Sequence, residues 1–228
     1  STDLGLSRSQ MGGVLGAWQL VYIGSAVPLG ILLDRTGIRR GLMLAFIMIA
    51  VSVVLRSQAV DYASLFLAVA VFGLGGPLVS VGAPKTISLW FKGSGRGMAM
   101  GIYMTAPMLG SMSGLSLTNG LFMPMMNGDW RAVMLLYAVF IAASSLVWWL
   151  ITAHPGCKKV EGELSTEPSG SQKENFKRLI RIPAFQIVLA ISIGVFFCNH
   201  SMNNWLPEIL RSKGIDATTA GYLASIPV

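Results

Sequence analysis

The feature that most limits what this chain can fold into is a series of long stretches without Asp, Glu, Lys or Arg. They cover residues 11–33, 62–84, 97–128, 132–153 and 182–207. A sixth stretch, 41–60, is interrupted only by Arg56 near its end, where a long side chain reaches the headgroups while its stem stays in the apolar layer. About 20 mostly apolar residues cross a bilayer as a helix. In hydrocarbon the backbone must satisfy its own hydrogen bonds, which leaves helices or closed barrels. Runs of this length predict helices, and six spans are expected. The run 97–128 is longer than one span needs, so residues 119–128, with Pro124, are expected to emerge or break.

Charge supports the same class. Only 12% of residues are charged, against about 25% in an ordinary soluble domain. The net charge of +7 raises nucleic acid as a partner, and the placement of the charges decides against it. If six spans alternate in direction, one set of loops holds Arg35, Arg39, Arg40, Lys85, Lys92, Arg96, Lys158, Lys159, Lys173, Lys177, Arg178 and Arg181. The other holds Arg8, Arg56, Arg131, Arg211 and Lys213. Excess Lys and Arg marks the cytoplasmic side, so the basic balance is topology. Cys157 falls in a polar loop and Cys198 in a span, so no disulfide is expected between them.

Residues 154–181 are polar, with both charge signs and Pro, Gly and Ser, and predict a cytoplasmic linker. Phe176, Leu179 and Ile180 fall on one side of a short segment, 174–181, which is either a helix on the membrane surface or solvated chain. On either side of the linker the sequence echoes itself, GLSRSQMG at 5–12 and GIDATTAG at 214–221. In each, an N-cap residue, Ser7 or Asp216, precedes a helix that starts with small residues. Each is read as the start of the same helix in two equivalent halves. On that reading a helix precedes Ser1, and the second half continues past Val228.

At the end of the first span stands Gly30-Ile-Leu-Leu-Asp34-Arg35-Thr-Gly37-Ile-Arg39-Arg40. Gly30 permits close helix approach, Asp34 accepts hydrogen bonds, Gly37 permits a sharp reversal, and the arginines anchor the turn. These residues resemble the signature loop of the major facilitator superfamily. Trp90-Phe-Lys92 with Arg96-Gly97, Trp130-Arg131 and Trp205-Leu206-Pro207 resemble other family positions, so the resemblance covers the whole chain.

It implies an all-α, twelve-helix fold in two repeated halves, of which this chain supplies helices two to seven and the start of eight. The expected division is a bundle at 1–153, the linker at 154–181 and the start of a second bundle at 182–228. It also implies a secondary transporter working by alternating access, with the motif as a conformational latch. The alternative is a transporter-like sensor or a non-transporting scaffold. Val69 before Gly73, and Ala106-Pro107-Met108-Leu109-Gly110, depart from the patterns of drug and proton antiporters. The chain is similar in general look to the cyanate and nitroimidazole permease branch or the oxalate and formate branch.

Polar residues inside spans are the candidate substrate contacts, because each is costly in hydrocarbon unless it has work or a partner. Gln19 and Tyr22, one turn apart, and Tyr103 are expected to line a cavity. Asn199, His200 and Asn203 lie at helical spacing in the last long span, and either line it or bond neighbouring helices. Lys85, placed near midspan, either takes an anionic substrate or extends to the headgroups. The pairs Gly12/Gly16, Gly97/Gly101 and Gly110/Gly114 are expected at helix contacts. No intramembrane protease motif is present, so no enzyme is expected. No metal or cofactor is expected either. The partners are a small solute, possible coupling to protons or a counter-solute, and the lipid of a bacterial inner membrane, with the protein a monomer.

Overall fold

The computed structural model describes residues 4–154, 157 and 180–224. Residues 174–179 of the expected surface segment, and nearly all of the expected linker, lie outside the described residues. The described chain is helical. Helix α1 is Arg8–Thr36, α2 Ile38–Ser57, α3 Tyr62–Trp90, α4 Ser94–Leu117, α5 Trp130–Thr152, α6 Pro183–Ser212 and α7 Ala217–Ala224. All of these except α4 and the short α7 are long and apolar enough to cross a membrane, which makes five candidate spans. The span expected over 97–128 forms α4 but is not among them. Its glycines, serines and threonines dilute the apolar residues. After Leu117 the chain passes through a π-turn, Thr118–Phe122, and one helical turn, Met123–Met125. Asn127 and Gly128, both at positive φ, then reverse it before α5.

Both N-caps of the echo are formed. Ser7 Oγ accepts from the Gln10 amide while the Ser7 amide donates to Gln10 Oε1, a closed capping box. Asp216 accepts from the amides of Thr218 and Thr219, each at 3.0 Å. The echo extends to the backbone, since Gly5 and Gly214, two residues before each cap, are both at positive φ. A second capping box starts α3, where Asp61 and Ser64 bond reciprocally. The Ser64 hydroxyl and amide hold the Asp61 carboxyl below its ordinary range, and Thr219 does the same for Asp216.

Two compact units emerge. Among the described residues, the first joins those up to 107 to those from 121 to 157, and the second joins 108–120 to those from 180 on. In the first, α3 is the central helix, packed against α1 and α2, and α2 packs in turn on α5. What lets α3 sit so close is glycine. A Cβ at Gly73 would stand 2.4 Å from the Trp18 carbonyl oxygen, and one at Gly75 2.8 Å from Ile49. Gly76 likewise meets Tyr22 at 2.8 Å, and Gly82 meets Leu42 at 2.8 Å. This corrects the expectation at five of the six paired glycines. A Cβ at Gly16, Gly97, Gly101, Gly110 or Gly114 meets nothing within 4 Å among the described residues. Spacing alone does not tell which glycine faces a neighbour. Ser52 adds a buried hydrogen bond from α2 to the Ala68 carbonyl of α3, 2.7 Å, and Leu33, Ala45 and Leu78 join α1, α2 and α3 in a small core.

In the second unit α7 packs against α6 and also on the end of α4. Gly221 brings the α7 backbone onto the Leu115 carbonyl, where a Cβ would stand at 2.8 Å. The small residues Ala220, Gly221 and Ala224 form its buried face.

Candidate functional site

The signature segment turns out not to be a loop. Helix α1 continues through Asp34 and Arg35 to Thr36, and α2 begins at Ile38, so the connection is Gly37 alone. Its φ of 81° is in the region that favours glycine. The reversal is tied on both sides, because the Gly37 amide donates to the Leu33 carbonyl at 3.1 Å and the Gly41 amide to the Gly37 carbonyl at 3.0 Å. Gly41 is pressed against Leu33, whose Cδ1 lies where a Cβ would go.

Lys85 does not lie near the middle of its span. It is five residues from the end of α3, and its Nζ donates to Asp34 Oδ1 at 2.6 Å. The ion pair joins α1 to α3 at the end of the bundle that carries Gly37. Both side chains are about one third exposed, so water still reaches the pair.

The arginines divide their work. Arg39 lays its guanidinium 4.0 Å over the Trp149 ring and donates from Nε to Thr152 Oγ1 at 3.2 Å. Trp148 donates from its indole to the Arg39 carbonyl at 3.3 Å and stacks on Trp90, with ring centroids 6.2 Å apart. The ends of α2, α3 and α5 are thus clasped together beside the joint. Arg35 and Arg40 are exposed. Gly30 has no neighbour within 4 Å of a Cβ among the described residues, so the close approach expected there is not made in this unit.

A second cluster lies further along α1 and α3. Tyr22 Oη and Ser80 Oγ are 2.7 Å apart. Ser25 Oγ reaches the Gly73 carbonyl at 3.4 Å, and proline explains why that carbonyl accepts. Pro77, four residues on and inside α3, has no N–H to give it. Gln19 completes the band one turn before Tyr22, and its Oε1 is buried with no hydrogen-bond partner among the described residues. Trp18 packs edge-on to both Tyr22 and Phe72. Residues Ser25, Ser80 and the freed Gly73 carbonyl were not singled out from the sequence; the i, i+3 spacing of Gln19, Tyr22 and Ser25 is the signal that finds the first.

Arg56 is also placed differently from its expected reach to the headgroups. Its guanidinium lies 5.3 Å from the Phe72 ring, and its Nε is buried without a partner among the described residues. An aromatic face attracts a cation that is poorly solvated, and Phe72 presents one across the α2 and α3 contact.

Tyr103 is half-buried on α4. In the second unit His200 stacks on Phe196, centroids 5.9 Å apart, and Asn199 is exposed. The Asn203 side chain lies outside the described residues. Among the described residues no group of three or more His, Cys, Asp or Glu side chains is placed to hold a metal ion.

Comparison with known proteins gives this architecture its relatives. The chain is 27% identical to an uncharacterized transporter, YycB, of Bacillus subtilis, over 94% of this chain and 50% of that protein. It is 23% identical to a probable galactarate/D-glucarate transporter of Escherichia coli, over 99% of this chain and 55% of that one. To a probable nitrate/nitrite antiporter of Thermus thermophilus it is 26% identical, over 78% of this chain and 40% of that protein. The chain spans about half the length of the first of these curated relatives. The model of the Major Facilitator Superfamily matches residues 1–228, and with its helical bundle and its one-residue glycine joint, the chain belongs to that family of integral membrane proteins.

Proposed function

We propose that this chain forms part of a secondary active transporter that carries a small organic anion by alternating access, with its Gly37 end on the cytoplasmic side. The expected division into a bundle at 1–153, a linker at 154–181 and a second bundle starting at 182 belongs to the same proposal. The observation that carries the substrate reading is Gln19 Oε1, a buried acceptor without a partner among the described residues, one turn of α1 before Tyr22, whose hydroxyl pairs with Ser80. A buried acceptor without a donor costs about 1–3 kcal/mol. A substrate that donates hydrogen bonds removes that cost.

Among the anions in the relatives' names, galactarate and D-glucarate carry hydroxyl donors and nitrate carries none. A polyhydroxylated acid therefore fits this cluster better. Lys85 works in this reading as the partner of Asp34 in the latch, since its ammonium is already engaged at 2.6 Å. Coupling is to protons or a counter-solute.

Uptake of labelled galactarate, D-glucarate and nitrate into vesicles holding the full-length protein tests this. Flux of a sugar acid with a KM raised roughly tenfold in Gln19→Leu, the effect of about 1.4 kcal/mol, is expected. Faster nitrate flux, or a Gln19→Leu variant with an unchanged KM, overturns the substrate reading. Binding of a sugar acid without any flux favours the sensor.

A further inference from the structure

Helices α2 and α5 pack together, yet on their outer side the surface opens into an apolar groove. Its walls are Met43, Ile47 and Val51 of α2 and Ala142, Leu146 and Trp149 of α5. The larger of these face outward, with Ile47, Val51, Leu146 and Trp149 all between 42% and 58% exposed. From Met43 to Val51 the helix rises about 12 Å, enough to cradle a good part of one extended hydrocarbon chain. The groove offers almost nothing to a polar ligand. Ser145 is the hydroxyl in its wall, and it is turned across the floor to donate to Met43 Sδ at 3.2 Å.

The mouth of the groove has a different chemistry. Arg39 stands one helical turn from Met43 on the same face of α2, and its guanidinium covers the very indole, Trp149, that forms the groove wall. Its Nε bond to Thr152 holds it there. Arg40, the next residue, is exposed. Indoles such as Trp148 and Trp149 are favoured at the depth where headgroups begin. The arrangement is therefore hydrocarbon-lined below and cationic at the interface.

We propose that this groove seats one acyl chain of an anionic phospholipid whose phosphate is held at the mouth by Arg39, with Arg40 adding charge. The three parts of the site match the three parts of such a lipid: apolar walls for the chain, indoles at the glycerol level and guanidinium at the phosphate. A zwitterionic lipid fills the walls equally well but gains less at the mouth. The inference depends on the bundle lying in a membrane and not on what the protein carries, so it stands or falls apart from the transport reading.

The test uses the full-length protein in nanodiscs of phosphatidylcholine doped with a photoreactive-chain analogue of either phosphatidylglycerol or phosphatidylcholine. Crosslinked residues are mapped by peptide mass spectrometry. The expected result is labelling of residues 43–51 and 142–149 that is stronger with the phosphatidylglycerol probe. Arg39→Gln with Arg40→Gln lowers that preference, read as the ratio of phosphatidylglycerol to phosphatidylcholine labelling, by about fivefold for each arginine, the equivalent of about 1 kcal/mol per basic residue at an anionic surface. Ala142→Trp, which fills the groove, lowers labelling by both probes. Equal labelling by the two probes in the wild type, or labelling spread evenly over all outward-facing helices, overturns the proposal. So does a preference that survives loss of both arginines.

Discussion

Replacing Gly73 by alanine puts the central packing of the first unit to a quantitative test. The new Cβ would stand 2.4 Å from the Trp18 carbonyl oxygen and 2.9 Å from Val21 Cβ, whereas ordinary contact starts at 3.4 Å. Neither obstacle can rotate away, because one is backbone and the other is the branch point of its side chain. Helices α1 and α3 must therefore part by about 1 Å at this level, in an interior that tolerates little slack. Overpacking of this kind costs about 1–3 kcal/mol, and immobile backbone argues for the upper end. Alanine returns up to about 1 kcal/mol through its better helix propensity.

The matched control is Gly16→Ala on α1, where a Cβ meets nothing within 4 Å among the described residues, which leaves the propensity gain. Unfolding of the full-length protein in mixed micelles by a denaturing detergent is expected to place Gly73→Ala about 2–3 kcal/mol below Gly16→Ala. The Ser25 bond to the Gly73 carbonyl should weaken with the same shift. If the two variants unfold within about 0.5 kcal/mol of each other, the close approach of α1 and α3 through Gly73 is refuted.

Two further outcomes follow from individual bonds. A double-mutant cycle of Tyr22→Phe and Ser80→Ala is expected to show a coupling of about 0.6 kcal/mol, the average for interhelical hydrogen bonds in a membrane; additive effects in detergent unfolding would remove the 2.7 Å contact from the account. The Asp61 carboxyl, held below its usual value of 3.8 by Ser64, stabilises the fold at pH values above that of the unfolded carboxyl, and the stabilisation is lost as pH falls through the lowered folded value. An acid titration of stability should therefore be shallower below about pH 4 in Asp61→Asn than in the wild type, and an identical acid limb would show the capping box to be irrelevant there.

The residues that were legible from sequence share one property: their role is local. The apolar runs specify helices because the bilayer leaves the backbone no other partner. Ser7 and Asp216 announce helix starts because their side chains bond amides two or three residues on. Gly37 marks a reversal because few other residues accept a positive φ, although the length of the joint, a single residue, is settled by how far α1 stays helical.

What was not legible depends on facing. Lys85 and Asp34 are 51 residues apart, and nothing in either segment says that they meet. The glycine pairs at four-residue spacing look like contact surfaces, but the glycines that make the contacts in the first unit are mostly those of α3, at positions 73, 75, 76 and 82. Arg56 sits near a helix end where extension to the headgroups is the natural expectation, and only the position of Phe72 on the neighbouring helix explains why it folds inward.

In the proposed function, the Gly37 joint and its Asp34–Lys85 pair bias a carrier between two accessible states. The most direct measurement is the labelling rate of a single cysteine, Gln19→Cys with Cys157 and Cys198 replaced, by an impermeant thiol reagent added from each side of oriented vesicles. A pair about one third exposed is worth at most about 1 kcal/mol, so Asp34→Asn is expected to raise labelling from the Gly37 side up to about fivefold and lower it from the other. The charge swap of Asp34→Lys with Lys85→Asp should restore the wild-type balance. Labelling that is the same from both sides in the wild type, Asp34→Asn and the swap would contradict the account.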